Sequence, residues 1–537
     1  MSSSNSLIDR LREKLEKQTE SRGLFALKDI PHPFSFKNNQ KAAKRIIENI
    51  CAGKKMLIIG DYDADGIMAT TILMEFFEEL GFGPMVDYRI PSRLKDGYGL
   101  NKNLIDYALD NGFDFCLTVD NGIAATQAID YANEKGIEVI ITDHHTPPAV
   151  LPNTGIIVNP RCDENLEFQH ISGATVAWYL AYAIQLELGT NIKMAEYLDY
   201  VAITIVSDVM PLVNINVPML NYGIELIKKQ KRPLYKLLWN NFTLPVLDSI
   251  AIAFSLVPMI NAVGRIDDAN KAVALFLEKD NAKIYKQFLW LKATNETRKE
   301  MSRKYLKEAL DSLGEIDLSK KAIVVKSNQF HEGLVGIIAG KLAERYHKPA
   351  YVLTYSTEKR LYKGSGRSSG SIHLYDLTNR ANSVLAGFGG HSGAVGLAVT
   401  KENFDEFERI VQEAASKFQD HEFLDNNKEP IEIELHEINE DVMNLIDKFM
   451  PYGACNPQPI FSTKANVQVA QELKGGLHYK CAVNDAQRSF TGLFFNVESE
   501  KFLADINCDK VDIRFTLSKN YNLQLNTFST ELLCEII

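Results

Sequence analysis

The chain has 537 residues, of which 45% are hydrophobic and 24% charged, and its formal net charge is −10. This length exceeds what one hydrophobic core supports, so we expect about three or four domains of an ordinary soluble protein. The negative charge argues mildly against a nucleic-acid partner because phosphates attract cations, although a local basic stripe could still contact them.

Three features of the sequence predict a cytoplasmic protein without a membrane partner. No stretch resembles a membrane span, and residues 1–5 lack the basic and apolar regions of a signal peptide. The seven cysteines form no CxxC pair and are widely spaced. This pattern favours reduced thiols over disulfides or a zinc knuckle.

The first half of the chain alternates helix and strand patterns. Residues 7–27 predict a charged, helical lead-in at the surface, and helices are also predicted at 38–51, 67–80 and 172–188. The segment 91–100 is a loop with two cations, two glycines and a tyrosine, for which a substrate-facing role and a plain connection are about equally favoured. Short apolar runs predict buried parallel strands, namely 56–59, 113–119, 137–142 and 156–158.

Carboxylates follow the first of these strands at alternate positions. Asp61, Asp63 and Asp65, closed by Gly66, make poor core and poor helix, and like charges so close together repel unless cations lie between them. Because open α/β sheets gather the carboxyl ends of parallel strands at one edge, side chains after neighbouring strands should meet there. Oxygen ligands with a minority of imidazole suit Mn²⁺ or Mg²⁺. The next two strands end in further metal-competent residues, namely Asp120, Asp143, His144 and His145.

These residues predict a pair of divalent cations. Two such ions about 3.5–4 Å apart bind a phosphate oxygen jointly and lower the pKa of a shared water toward roughly 7. Asp120 could bridge the ions, with Asp63 and Asp65 flanking it and His144 as the nitrogen ligand. Asp208 is a lone acid in an apolar stretch, where such residues are usually caps or partnered core residues. The other carboxylates favour it as a further ligand.

The second half predicts a bridging helix, a second α/β unit and a β domain. Residues 270–313 predict one long, mostly polar helix of the kind that bridges domains; its cations are more often solvated than phosphate-contacting. Short alternating runs at 431–435, 511–517 and 523–525 predict a small β-barrel after a polar linker at 419–429. The intervening unit is predicted to contain strands at 321–325 and 350–353 and helices at 333–346 and 405–418.

Two glycine-rich segments of that unit, 363–370 and 387–393, are predicted to be loops. Glycine lets backbone N–H groups approach an anion, and arginine pairs with phosphate oxygens in a fork. Alone, Arg367 is more often an exposed turn residue and His391 a satisfied surface histidine. Together, opposite a metal centre, they predict a phosphate-binding site.

The motifs occur in the order typical of the DHH phosphoesterase family. The matching stretches are Asp61-Tyr62-Asp63-Ala64-Asp65-Gly66, Val119-Asp120-Asn121-Gly122, Asp143-His144-His145 and Ser207-Asp208. Gly389-Gly390-His391 with Gly393 resembles the associated DHHA1 domain. Similarity to the single-stranded-DNA-specific exonucleases of this family extends to 96–100, Ile260-Asn261-Ala262-Val263-Gly264-Arg265 and 452–459.

The resemblance implies the α/β class: a parallel-sheet DHH domain and a smaller DHHA1 domain joined by a long helix, plus a C-terminal OB-like β-barrel. It further implies a monomeric enzyme of DNA repair and recombination that hydrolyses single-stranded DNA from the 5′ end with two Mn²⁺ or Mg²⁺ ions. A helicase and a single-strand binding protein would be its partners. The implied bounds are a lead-in (1–37), the DHH domain (38–269), the connecting helix (270–315), the DHHA1 domain (316–420) and the OB domain (421–537).

The resemblance also assigns roles to residues. His145 would face the scissile phosphate, and Asp143 would orient the histidine pair. Asp61 would lie near the first ion. Met259, Gly366 and Ser369 depart from the commoner family pattern. The implied ligands are Asp63 and Asp120 for one ion and Asp65, Asp120, His144 and Asp208 for the other, and the implied 5′-phosphate and DNA contacts are Arg265, Ser365, Arg367 and His391.

Two alternative functions remain open from the sequence. One is a DHH-family phosphodiesterase acting on short oligonucleotides or cyclic dinucleotides, which the long helix and the terminal β domain disfavour. The other is a non-catalytic single-strand binding module, which the intact acidic and histidine positions disfavour.

Overall fold

The computed structural model describes residues 6–23, 26–93, 96–97, 99–241, 247–314, 319–424, 429–522 and 527–536. Three residues of the predicted loop at 91–100 (Leu94, Lys95 and Tyr98) and the predicted strand at 523–525 lie outside this part of the chain. The described residues form three sheets with helices packed around them.

The first sheet has five parallel strands in the order β2-β1-β3-β4-β5. Strands β1, β3, β4 and β5 are largely apolar because both faces of the sheet are covered, whereas the edge strand β2 exposes Asp87 and Arg89. Met56 and Ile58 pack in one buried cluster, while Leu57 and Ile59 pack in another on the opposite face. The strands are β1 (Met56–Ile59), β2 (Val86–Arg89), β3 (Phe115–Val119), β4 (Glu138–Thr142) and β5 (Ile156–Val158).

Helices enclose this sheet and continue beyond it. Ser249–Ile266 is long and apolar enough to cross a membrane by length and composition, so the prediction that no stretch resembles a span is wrong by that criterion, yet 56% of it is buried inside the protein. We assign it to the core. The helices are α1 (Leu7–Thr19), α2 (Asn39–Cys51), α3 (Ala64–Glu79), α4 (Lys102–Asp110), α5 (Thr126–Lys135), α6 (Gly173–Leu188), α7 (Leu198–Ser207), α8 (Asn216–Lys228), α9 (Pro233–Asn241), α10 (Ser249–Ala251), α11 (Val257–Ile266) and α12 (Asn270–Leu277).

The predicted helix at 270–313 is two helices. The chain leaves α12 after Leu277, and Asp280 then caps α13 (Asn281–Leu313) by accepting hydrogen bonds from the N–H groups of Ala282 and Lys283. An aspartate that caps a new helix N-terminus satisfies donors that a continuous helix would pair internally. The 33 residues of α13 remain the long connection that the sequence predicts.

The second sheet corrects the two predicted glycine loops, because both contain strands. Its order is β6-β7-β8-β10-β9, with β6 and β7 parallel and the other pairs antiparallel. Gly366 lies opposite Tyr351, and a Cβ there would come within 2.9 Å of the Tyr351 ring. Glycine thus makes room for a buried aromatic in the neighbouring strand. The elements are β6 (Ile323–Ser327), α14 (Val335–Tyr346), β7 (Ala350–Ser356), β8 (Leu361–Arg367), α15 (Leu374–Asn379), β9 (Leu385–Gly390), β10 (Ala394–Thr400) and α16 (Phe404–Ala415).

The third sheet closes on itself. Its order is β11-β12-β13-β14-β16-β15, and a further pairing of β12 with β15 closes these strands into a barrel, with the short β11 beside the start of β12. The elements are β11 (Ile431–Glu432), α17 (Glu440–Lys448), β12 (Phe461–Leu473), β13 (His478–Asn484), β14 (Ser489–Phe495), α18 (Ser499–Asp505), β15 (Val511–Asn522) and β16 (Thr527–Ile536).

The N-terminal helix is not only a surface lead-in. Leu7, Leu11 and Leu15 of α1 are buried in the same apolar cluster as the barrel. Arg22 donates to the carbonyls of Phe449 and Pro451, which adds polar contacts to the same domain. The two ends of the chain therefore pack together, a contact that local periodicity cannot reveal.

Candidate metal centre and phosphate cavity

The acidic loop after β1 is held by its own backbone and by α11. Asp63 caps α3 by accepting hydrogen bonds from the N–H groups of Asp65 (3.0 Å) and Gly66 (3.1 Å). The Oδ1 atom of Asn261 accepts a hydrogen bond from the Ala64 N–H at 2.8 Å. The motif at 260–265 therefore positions the loop from a distant part of the chain.

Asp65 is held at the N-terminus of α6. Its Oδ2 and Oδ1 atoms accept hydrogen bonds from the N–H groups of Gly173 (2.6 Å) and Ala174 (2.8 Å), where the positive end of a helix favours an anion. A Cβ on Gly173 would lie 2.5 Å from Asp120 Oδ1. Gly173 was not identified from the sequence, where its signal is a serine cap followed directly by a glycine.

Asp120 points into the centre of the cluster. It directly follows β3 and has a left-handed backbone, with φ at 63°. The Nε2 atom of His144 lies 3.0 Å from Asp120 Oδ1, 3.5 Å from Asp208 Oδ2 and 3.6 Å from Asp65 Oδ2. Ligand atoms lie within 4.8 Å of one another in three groups, namely Asp61, Asp63 and Asp120; Asp65, His144 and Asp208; and Asp120, His144 and His145.

Asp143 lies behind the histidines and holds them. Its Oδ1 accepts hydrogen bonds from the N–H groups of His144 (2.7 Å) and His145 (3.0 Å) and lies 2.7 Å from Nδ1 of the His145 ring. Its Oδ2 accepts from the Ile123 N–H at 2.9 Å. Asp143 thus fixes the backbone of both histidines but the ring of His145 alone.

Burial and mutual repulsion dominate the electrostatics of the carboxylates. Burial, followed by repulsion from Asp63, raises the pKa of Asp61 to about 8 and that of Asp208 to about 7. The pKa values of Asp65 and Asp120 are raised well above the usual range by burial and then by neighbouring carboxylates. A cluster without bound cations would therefore retain protons near neutral pH.

The two histidines are pushed in opposite directions. Burial and the nearby His145 lower the pKa of His144 to about 3, so its ring is neutral and suited to bind a metal. Burial alone would lower the pKa of His145, but its hydrogen bond to Asp143 and the surrounding carboxylates raise it to about 9. His145 is therefore a cation whose side chain is 44% exposed, able to face an anionic substrate.

The donor set fits a pair of divalent cations. Asp61 Oδ1 and Asp120 Oδ1 are fully buried and accept no hydrogen bond from any residue that the structure describes. Buried carboxylate oxygens without a partner are costly, and cations would remove that cost. Oxygen ligands with one neutral imidazole suit Mn²⁺ or Mg²⁺. Asp208, at the end of α7 rather than of a strand, completes the set.

A cavity of about 510 Å³ between the first two domains is lined by several cationic side chains. Arg93, Arg265, Ser365 and Arg367 line it, and Arg367 donates to Ser365 Oγ at 2.7 Å. Burial and the nearby Arg93 and Arg367 lower the pKa of Arg265 to about 9. Among the residues described, no carboxylate oxygen lies within 4 Å of these three arginines, whereas Glu332 in the same wall is paired with Lys363 at 2.9 Å. The arrangement suits an anion with several oxygens.

Three family models match the chain: the DHH family N-terminal domain at residues 55–205, the DHHA1 domain at 319–417 and the RecJ OB domain at 431–529. The single-stranded-DNA-specific exonuclease RecJ of Escherichia coli is 31% identical over 490 residues, which cover 86% of this chain and 84% of the relative. The chain belongs to the RecJ family. RecJ of Bacillus subtilis is 32% identical over 439 residues, and the match covers 80% of this chain but only 54% of that relative.

The same family appears among solved structures. The crystal structure of RecJ in complex with Mn²⁺ from Thermus thermophilus matches with a TM-score of 0.78 and 27% identity, covering 93% of this chain and 71% of that one. The Mg²⁺ complex from the same organism has a TM-score of 0.72 and 25% identity, covering 93% of this chain and 70% of that one. The predicted α/β architecture with a terminal OB domain is confirmed.

The predicted phosphate residues do not all meet in the cavity. Arg265, Ser365 and Arg367 do. His391 is exposed in the turn after β9 and is not among the described residues that line this cavity. Burial, then the charges of Arg367, Arg161 and His145, lower its pKa, so it lies within electrostatic reach of both the phosphate cavity and the metal centre.

Two further arginines lie near the phosphate cavity and the metal centre, and neither was identified from the sequence of this RecJ-family chain. Arg93, in the loop considered for a substrate-facing role, stacks over the ring of Tyr62 at 4.2 Å from its centroid. Arg161 donates to Thr146 Oγ1 at 2.6 Å and is a charged neighbour of both His144 and Asp208. A single arginine in a loop carries too little signal to be identified alone.

Of the family departures, Gly366 has a packing reason in Tyr351, while Met259 is buried and Ser369 donates to the Phe423 carbonyl at 3.0 Å.

Proposed function

We propose that this chain is a 5′-to-3′ exonuclease that hydrolyses single-stranded DNA by two-metal-ion catalysis, in DNA repair and recombination. The observation that carries the proposal is the pairing of two sites. A cluster of buried carboxylates and a neutral imidazole lies near a cavity of arginines that have no described carboxylate partner. The relatives from Haemophilus influenzae and Escherichia coli are single-stranded-DNA-specific exonucleases.

The positions of the acidic residues and His144 support their roles as metal ligands. Asp61, Asp63 and Asp120 would hold one ion; Asp120 would also contribute to the second, with the residues Asp65, His144 and Asp208. When bound, the ions supply Lewis acidity toward a phosphate oxygen and a water of lowered pKa. Gly173 and Ala174 fix Asp65 before any ion arrives, so the site needs little rearrangement on binding.

The exposed His145 would donate a hydrogen bond to an oxygen of the scissile phosphate, where negative charge develops. Asp143 would maintain the charge and direction of that ring. Arg265, Arg367 and Ser365 would hold the terminal 5′-phosphate, with Arg93 beside them and His391 between the two sites. An enzyme that grips a terminal phosphate works from an end rather than at internal positions.

We further propose that the protein is a cytoplasmic monomer that acts with a helicase, which opens duplex DNA, and a single-strand binding protein. The support is the family and, for the compartment, the finding that all seven cysteines are free. The barrel domain would track the strand by charge and base stacking, worth about 1–3 kcal/mol per stacked base.

A time course on end-labelled strands tests the activity. Strands with a 5′-phosphate, strands with a 5′-hydroxyl, a duplex and a phosphorylated dinucleotide would be incubated with Mn²⁺ or Mg²⁺. We expect mononucleotides released from the 5′ end of the single strand, and no hydrolysis by Asp120→Ala, which should still bind the strand. Release from the 3′ end would contradict the polarity.

The same experiment decides between the alternatives. Hydrolysis of the dinucleotide without degradation of the long strand would indicate a short-oligonucleotide phosphodiesterase. Strand binding without hydrolysis in any divalent ion would indicate a non-catalytic binding module.

A further inference from the structure

An apolar cavity of about 300 Å³ lies between the catalytic domain and the barrel domain, and it includes Val209, the residue after the metal ligand Asp208. Val209, Met210 and Phe254 of the catalytic domain form one wall, and Tyr452, Pro457 and Gln458 form the other. The cavity therefore lies where the catalytic domain meets the motif at 452–459, and neither the ions nor the terminal phosphate of the proposed function uses it.

Two of its apolar side chains are unusually exposed. Phe254 is 78% and Val209 69% exposed, although burying either side chain would be favourable. Phe254 lies in a π-helical turn, Ile252–Leu256, between α10 and α11, and such turns occur frequently at functional sites. Val209 has a left-handed backbone with φ at 52°, a strained conformation for a β-branched residue.

This cavity and the phosphate cavity lie near different metal ligands. Val209 directly follows Asp208, which lies beside His144 and Asp65. The phosphate cavity instead includes Tyr62, between Asp61 and Asp63. The two cavities are thus lined by chain neighbours of different ligands of the centre. A strand that places its end in the phosphate cavity and its scissile phosphate at the ions would leave past Asp208.

We infer that Phe254 and Val209 form a stacking platform for a nucleobase on the 3′ side of the scissile phosphate. This inference rests on the proposed function and adds to it a requirement for a base at one position of the strand. Aromatic faces stack on every base, and the polar groups of the wall are already engaged: the Tyr452 hydroxyl donates to the Ile446 carbonyl and Gln458 Nε2 to the Leu517 carbonyl. The platform would require a base but would not distinguish its identity.

Substrates with one missing base test this. A series of 5′-phosphorylated, 3′-labelled single strands would carry one tetrahydrofuran abasic residue, moved one nucleotide at a time from the 5′ end. We expect the wild-type protein to pause when the abasic residue reaches one fixed distance from the end, and to show no dependence on which base otherwise occupies it.

Variants connect the pause to the platform. On a strand with all its bases, Phe254→Ala should be slower by about fivefold to one-hundredfold, the range that base stacking allows, and should lose the position-specific pause. Phe254→Trp should restore both. Val150→Ala is the matched control, because Val150 is 75% exposed and is not among the residues that line this cavity. Since Phe254 is exposed, equal melting temperatures should confirm that the variants fold.

The outcomes separate the two proposals. Phe254→Ala with the rate and pause of the wild type would overturn the platform while leaving the exonuclease proposal intact. A wild-type rate that depends on the identity of the base at the pause position would also overturn it. A wild-type protein that does not degrade single strands would refute the proposed function and the platform with it.

Discussion

Replacing Gly173 by alanine tests whether the missing side chain sets the position of Asp120. A Cβ at this position would lie 2.5 Å from Asp120 Oδ1 and 2.6 Å from Asp120 Cβ. Because carbon atoms in contact normally lie about 3.5–4.0 Å apart, Asp120 or the start of α6 must move by about 1 Å. Asp65 would move as well, since its carboxylate accepts the Gly173 N–H.

A displacement of about 1 Å can cost about 10²-fold in rate, and overpacking costs about 1–3 kcal/mol in stability. The better helix propensity of alanine relative to glycine offsets at most about 1 kcal/mol of this loss of stability. We therefore expect Gly173→Ala to lose about 10²-fold in hydrolysis at saturating Mn²⁺ and to bind Mn²⁺ more weakly by calorimetry, with a modest fall in melting temperature. Gly155→Ala is the control, because a Cβ there meets nothing within 4 Å. Wild-type rate and affinity in Gly173→Ala would show that the missing side chain at this position does not set the position of Asp120.

Three further predictions follow from contacts and charges. Arg367→Ala should raise KM for 5′-phosphorylated strands about tenfold or more, the value of a hydrogen bond to a charged group, and should not affect 5′-hydroxyl strands; an unchanged preference would remove Arg367 from the phosphate-binding site. Mn²⁺ affinity, measured by calorimetry, should fall as the pH is lowered from 8 to 6, because Asp61 and Asp208, with pKa values of about 8 and 7, then hold protons that the ions must displace; affinity independent of pH would contradict these shifts. Arg232→Met should destabilise the fold by about 3 kcal/mol in urea unfolding, because it leaves the buried Asp199 unpaired, whereas exposed Arg409→Met should have little effect.

The meeting of the acidic side chains and His144 was predictable because its signal is local. Asp61, Asp63 and Asp65 follow a buried strand at alternate positions, and neither core nor helix tolerates that pattern. Parallel strands then bring Asp120 and His144 to the same edge. Topology thus converts three separate local signals into one site, which sequence reasoning can anticipate.

The remaining features depend on contacts between distant residues. Gly173 matters only because Asp120 lies against it, and Gly366 only because Tyr351 lies opposite. In sequence, the glycines at 364 and 366 indicate a loop, yet the neighbouring strand makes them part of a sheet. The burial of Leu11 depends on a barrel that begins about four hundred residues later. Local periodicity carries no information about such partners.

Packing between the two domains, rather than a flexible connection, sets the distance between the proposed positions of the terminal 5′-phosphate and the scissile phosphate. The start of α13 contributes Ile284, Phe288 and Leu291 to the core of the catalytic domain, while Tyr305 and Ala309 near its end are buried in the core of the second domain.

At the junction of those domains, a Cβ on Gly333 would overlap the Arg265 carbonyl, and Arg265 donates to the Gly333 carbonyl. The backbones are therefore as close as glycine allows. If this junction stays closed during turnover, the distance from the terminal phosphate to the ions is fixed, and every cut should release a product of one length. Substituting Gly333 with alanine would open the junction, and products of mixed length would then show that this packing sets the step.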